Sequence, residues 1–267
     1  MDASSASTTS SSSSSSSSSR TSASAASGSS APGPAPAVRR VLVFGATGAT
    51  GALVVRLLLA QPERFAVTAF VRPRRAGAPP RTLPFDAAAV RLVEAGTDDE
   101  AAVAAAVAES DVVVNTLGHF YGETDASFMT RLITRVLAAM RASGGRCARL
   151  VDVSGVACPE PGDGSVLVFS FMNVYLRVLK NSVMLDHAAK TAAIKAAAAG
   201  WQELNWTIAR PVMLTNSAAS GYRAVAAADA SCSSLVSRAD VARFIVDELE
   251  QPRWPRAAPV VCGTGFL

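Results

Sequence analysis

Three glycines, Gly45, Gly48 and Gly51, fall at the spacing GxxGxxG within Gly45-Ala46-Thr47-Gly48-Ala49-Thr50-Gly51. The run before them, Val41-Leu42-Val43-Phe44, is short and apolar, the pattern of a parallel strand buried on both faces. The run after them, Ala49 to Ala60, reads as a helix, with Pro62 just beyond its end. Strand, tight glycine turn and helix in that order leave few folds open. Gly45 would permit a sharp turn off the strand, Gly48 a close approach of phosphate, and Gly51 close packing of the helix. The helix N-terminus then offers N–H groups and the positive end of its dipole to a diphosphate. Thr47, Ala49 and Thr50 line the same turn, and the two threonines add hydroxyl donors. A glycine turn with no ligand satisfies the spacing alone; the flanking strand and helix make it a dinucleotide loop.

The rest of the chain repeats the strand–helix alternation. Strands are expected at Phe65–Val71, Val90–Glu94, Asp111–Leu117, Arg149–Val153, Trp206–Ala209 and Pro259–Cys262. Helices are expected at Asp98–Ala108, Ala126–Arg141, Leu185–Ala199 and from Ser237 to Glu250. Ser237 stands as N-cap of the last helix, with Asp240 three residues on in the box position. Repeated βα units imply an α/β fold: a doubly wound parallel sheet with helices on both faces and a ligand crevice at the carboxyl ends of the strands. This is a single Rossmann-type domain over residues 38–267, with a small lid region on the substrate side. Residues 1–37 are almost wholly Ser, Ala, Thr, Gly and Pro, including an unbroken serine run from Ser10 to Ser19. Such a tail cannot bury enough apolar surface to offset its ordering entropy, so disorder is expected there.

The second strand ends Phe70-Val71-Arg72-Pro73-Arg74-Arg75, with three guanidiniums and no carboxylate. An acid at that point would bind ribose hydroxyls, as in NAD sites. Arginine pairs with phosphate, so NADP is favoured over NAD, with Arg72 on the 2′-phosphate. A solvated basic loop is the alternative. Thr97 and Asp98 follow the third strand, where an acid can approach the adenine. Leu117 and Gly118 follow the fourth, where small residues let the nicotinamide half pass.

Composition excludes more than it assigns. The formal net charge is +4, and the arginines are scattered, so nucleic-acid binding is not expected. The four cysteines form no CxxC pair, and with only two histidines no metal-ligand cluster is expected. Free thiols in a reducing compartment follow. No transmembrane helix is expected. The expected location is cytoplasmic, or a plastid if the Ser/Ala-rich tail is a transit peptide.

Several further motifs sit in this frame: Val153-Ser154, Asp186-His187, Trp206-Thr207-Ile208-Ala209-Arg210-Pro211 and Ser237-Arg238-Ala239-Asp240-Val241-Ala242. With the glycine loop they make the chain resemble the atypical short-chain dehydrogenase/reductases. The nearest group is the small NAD(P)H-binding proteins related to NmrA-type regulators and the biliverdin-IXβ/flavin reductase. The resemblance runs from Val41 to about Gly263. It implies that Ser154 stands beside the nicotinamide and the substrate oxygen, and that Pro211 belongs to the cofactor site. It also implies a departure. Short-chain dehydrogenases use a tyrosine acid with a lysine four residues on. Lys190 would be that lysine, but Asp186 holds the tyrosine slot, and Tyr175 and Lys180 are five apart. His187 is a proton donor by its ordinary pKa, or else a core or surface histidine. The apolar stretch Val166–Leu176 is expected to flank the substrate crevice as a lid, or to serve as a dimer face or core.

Three functions fit these residues. The first is an NADPH-dependent reductase passing a hydride to a small conjugated or flavin-like acceptor. The second is a non-catalytic NADP-binding regulator of NmrA type that meets a protein partner. The third is an epimerase-type enzyme.

Overall fold

A computed structural model of the chain describes residues 37–74, 77, 82–118, 125, 127–163, 181–227 and 232–264. The tail up to residue 36, the lid at 166–176, and Arg75, His119, Tyr175 and Lys180 lie outside these residues.

The described elements run in chain order: β1 (Arg39–Phe44), α1 (Gly51–Leu59), β2 (Phe65–Val71), β3 (Arg91–Glu94), α2 (Glu100–Ala108), β4 (Val112–Asn115) and α3 (Phe128–Ala142). They continue as β5 (Arg149–Val153), α4 (Asn181–Ala199), β6 (Asn205–Pro211), β7 (Met213–Thr215), β8 (Tyr222–Val225), β9 (Leu235–Ser237), α5 (Arg238–Glu250) and β10 (Val260–Gly263). The main sheet has the order β3-β2-β1-β4-β5-β6-β10-β8. All its pairings are parallel except β10 with β8. The chain direction across the sheet reverses at β1, so the crevice between the ends of β1 and β4 is the switch point.

Alternation along the central strands divides two cores. Val41 and Val43 of β1 face one layer with Val54, Val55 and Leu58 of α1 and Val241, Phe244 and Ile245 of α5. Leu42 and Phe44 face the other, with Val103 and Val107 of α2, Leu132, Ile133 and Val136 of α3, and Ile194 of α4. The four β1 side chains are fully buried, each contributing about 1.5–3 kcal/mol relative to exposure. In α3 the buried set Met129, Leu132, Ile133, Val136, Leu137 and Met140 follows the three-and-four spacing of one helical face.

Three differences from the sequence reading concern ends and edges. β4 closes at Asn115, so Thr116-Leu117-Gly118 is loop and not strand. Helix α1 starts at Gly51, with Thr50 as N-cap making no side-chain cap bond. The short strands β7, β8 and β9 were not expected: β7 pairs with β9 in a separate parallel ribbon, and β8 adds an antiparallel edge. Strands of three or four residues carry too few alternations to register as a period. The Ser237 cap holds as read. Its hydroxyl accepts from Asp240 N at 2.9 Å and donates to Asp240 Oδ2 at 2.7 Å. The Asp240 carboxylate also takes the amides of Ser220 and Gly221.

Candidate functional site

The loop after β1 is fixed by close backbone approach. Gly45 has φ of +77°, a left-handed conformation that a side chain disfavours. Its carbonyl accepts from Gly48 N at 2.8 Å. A Cβ on Gly51 would lie 2.1 Å from that same carbonyl oxygen and 2.6 Å from Thr116 Oγ1. Gly51 therefore permits α1 to start directly against the ends of β1 and β4. Thr116 closes the other side, donating its hydroxyl to Phe44 O at 2.9 Å.

Above this turn lies a cleft of about 650 Å³ lined by Gly45, Thr47, Gly48, Ala49 and Thr50 from the loop and by Arg72 from the end of β2. Thr97, Leu117 and Gly118 complete the set expected there, and Phe70, Val71, Thr116, Phe128 and Arg238 join it. Two residues expected at the cofactor, Asp98 and Pro211, are not among the walls of this cleft. Asp98 is exposed and turned over Gly96, and it is not among the lining residues. The cap of α2 is the next residue, Asp99, whose carboxylate accepts from Ala102 N at 2.9 Å. Pro211 lines a second cavity instead.

That second cavity, about 310 Å³, is walled by the loop from Ser154 to Cys158, by Met184 and His187 of α4, and by residues from Pro211 to Leu214. Ser154 and His187 thus share one cavity. Ser154 is anchored by its amide, which donates to Ala209 O at 2.8 Å. Its hydroxyl lies 3.5 Å from that of Thr191. Burial pushes the neighbouring Cys158 thiol up, against an opposing contact with Ser154. The cavity wall is held by Arg210, fully buried in β6. It binds Asp163 with both terminal nitrogens, at 2.5 and 3.0 Å, and donates from Nε to Ala258 O at 2.7 Å. The arginine of the Trp206–Pro211 motif is therefore a strut for the cavity loop.

The structure also explains the departure at Lys190. Its side chain is fully buried, 2.9 Å from Asp152 Oδ2, and donates to Val153 O at 2.7 Å. Asp152 accepts from Asn115 Nδ2 at 2.7 Å, and Asn115 Oδ1 accepts from Leu117 N at 3.2 Å. Burial raises the Asp152 pKa while Lys190 and Asn115 oppose the rise. This chain of contacts ties the ends of β4 and β5 to α4 beneath the site. Asp186 faces α3, accepting the amides of Met129 and Thr130 at 2.9 Å each. It caps a helix whose own N-cap, Ser127, makes no side-chain cap bond. Neither Lys190 nor Asp186 lines either cavity, and no described tyrosine does so. Sequence spacing found the cradle and missed the Asn115–Asp152–Lys190 network, because its members come from three separate elements.

Over residues 45–252 the chain matches the model of the NAD(P)H-binding family. The chain belongs to that family. The match spans the phosphate loop, the loops lining both cavities and helix α5. The positive φ of Gly45 and the Cβ-free approach at Gly51 fit a dinucleotide in this cleft. The NAD(P)H-binding assignment agrees with solved structures. A Rossmann-fold NAD(P)-binding family protein from Shigella flexneri is 22% identical, with TM-score 0.60, covering 86% of this chain and 96% of its own. A short-chain dehydrogenase/reductase from Veillonella parvula, solved in complex with NADP, is 18% identical with TM-score 0.65, covering 85% and 95%. ChuY, an anaerobillin reductase from Escherichia coli O157:H7, is 19% identical with TM-score 0.62, covering 85% and 98%. At these identities the likeness establishes the fold, a Rossmann-type α/β domain. No curated protein matches the chain by sequence. Among the described residues no group of His, Cys, Asp or Glu could hold a metal ion, and no helix is long and apolar enough to cross a membrane.

Proposed function

We propose that this NAD(P)H-binding protein is an NADPH-dependent reductase acting on a small conjugated or flavin-like acceptor. The observation that carries the reading is the adjacency of two cavities. The phosphate-loop cleft and the Ser154/His187 cavity share Arg238 as a common wall residue. A dinucleotide on the loop would supply a hydride where the two meet. In this reading Gly45, Thr47, Gly48, Ala49 and Thr50 hold the diphosphate, with Gly51 setting the position of α1. Arg72 pairs with the 2′-phosphate, which favours NADP over NAD. Ser154 orients an acceptor oxygen through its hydroxyl, and His187 is the proton donor on the same cavity wall. The mostly apolar walls of the second cavity suit a planar acceptor.

A second reading, a non-catalytic NADP-binding regulator, draws on one observation. The lysine expected to assist a tyrosine acid is locked in an ion pair with Asp152. The same observation weighs against an epimerase. The test is NADPH oxidation against a panel of flavins, quinones and linear tetrapyrroles. A reductase oxidises NADPH faster than NADH with at least one of them. Tight NADPH binding without oxidation by any member of the panel would support the regulator.

A further inference from the structure

We propose that Arg238 binds an anionic group, a carboxylate in the simplest case, on the molecule that occupies the Ser154/His187 cavity. This rests on the reductase reading of that site and narrows its substrate class to aromatic or conjugated acids. Arg238 opens α5 and is half-buried. It is the one described residue that lines both cavities. Among the described residues its side chain makes a single hydrogen bond, from Nη1 to Asn216 Oδ1 at 2.8 Å, and has no carboxylate partner. No Asp or Glu lines either cavity among the described residues. A guanidinium carries five donors in a planar fork that matches a carboxylate, and among the described residues Arg238 spends one of them on Asn216. An anion at the joint would accept from the others.

Two features turn Arg238 towards the acceptor and away from the dinucleotide. Its anchor, Asn216, follows β7, and the β7 residues Met213 and Leu214 are walls of the Ser154 cavity. The diphosphate already has the loop amides and the start of α1. Apart from His187, the rest of the second cavity is walled by uncharged residues such as Ser154, Gly155, Val156, Met184 and Pro211. The residues so assembled match a flat apolar body with one acidic substituent at the end nearer the cofactor. Bidentate pairing would then fix which edge of that body meets the hydride.

The test is calorimetric titration of the NADPH-saturated full chain with 2-naphthoate and with its uncharged amide, 2-naphthamide. The parent protein should bind the acid at least about ten-fold more tightly than the amide. In Arg238→Gln that preference should fall below about two-fold, while NADPH affinity stays within about three-fold. Equal affinity for the two probes in the parent, including no measurable binding of either, would overturn the inference. So would an Arg238→Gln protein that keeps the preference, or one that loses ten-fold or more in NADPH affinity. The readout is binding, so its failure is separable from failure of the reductase reading, which shows as absent NADPH oxidation.

Discussion

Replacing Gly51 with alanine tests the cradle at its tightest point. The new Cβ would lie 2.1 Å from the Gly45 carbonyl oxygen, 2.7 Å from its carbon and 2.6 Å from Thr116 Oγ1. Ordinary contact begins near 3.4 Å. Neither neighbour can yield cheaply: the Gly45 carbonyl is held by Gly48 N at 2.8 Å, and the Thr116 hydroxyl by Phe44 O at 2.9 Å. The start of α1 must therefore move by roughly an ångström, at an overpacking cost of about 1–3 kcal/mol. For a domain of this size that is a fall in Tm of roughly 3–10 °C. The moved helix start no longer aims its amides at the diphosphate, so NADPH affinity should fall at least about ten-fold. Gly200→Ala is the control, because Gly200 lines neither cavity and its Cβ would meet nothing within 4 Å. Thermal melts and fluorescence titration of NADPH on both variants give the answer. A Gly51→Ala protein with the parent's Tm and NADPH affinity would refute the packing argument.

Arg72→Ala should weaken NADPH by roughly ten-fold or more while leaving NADH nearly unchanged, from the loss of about 1.5–3 kcal/mol of charge-assisted bonding to phosphate; equal losses for both cofactors would remove Arg72 from the 2′ site. Lys190→Ala leaves the Asp152 carboxylate buried beside Asn115 without its ion pair, so urea unfolding should show a loss of about 3–5 kcal/mol, and a loss under 1 kcal/mol would contradict a structural role. All four cysteines are free; Cys147, Cys158 and Cys262 are buried and Cys232 is half-buried. Burial also pushes the Cys147 thiol up to about 12. A thiol reagent at neutral pH should therefore label Cys232 fast in the native protein and all four only after unfolding without reductant, and missing label in the unfolded protein would reveal a disulfide.

The phosphate loop was legible because its signals are local. Strand, glycine spacing and helix are contiguous between Val41 and Ala60, and each glycine meets a constraint that lies within the loop or just beside it, at Thr116. The central strands were legible because runs such as Val112-Val113-Val114 have no other easy place than the middle of a parallel sheet. The second cavity was only half legible. Ser154 and His187 stand out in the sequence, but nothing in the spacing shows that Pro211 lines the same cavity. Long-range polar contacts were not legible at all. Asp186 occupies the slot of a tyrosine acid in the sequence, whereas in the fold its carboxylate serves the amides of α3, 56 and 57 residues upstream. Arg210 and Asp163, 47 residues apart, had no shared local pattern. Arg238 was read as part of a motif and not as a site residue, since only the fold brings the start of α5 to the joint of two cavities.

On the proposed reductase function, a hydride passes from NADPH to an acceptor held at Ser154, without a tyrosine acid. Single-turnover oxidation of bound NADPH, compared with NADPH deuterated at the transferring position, tests it directly, using the fastest acceptor found among flavins, quinones and linear tetrapyrroles. The predicted result is a slower turnover with deuterium, slowed again by roughly 30-fold or more in Ser154→Ala, with NADPH affinity unchanged in that variant. Bound NADPH that is oxidised by none of these acceptors above the rate in free solution would contradict the claim.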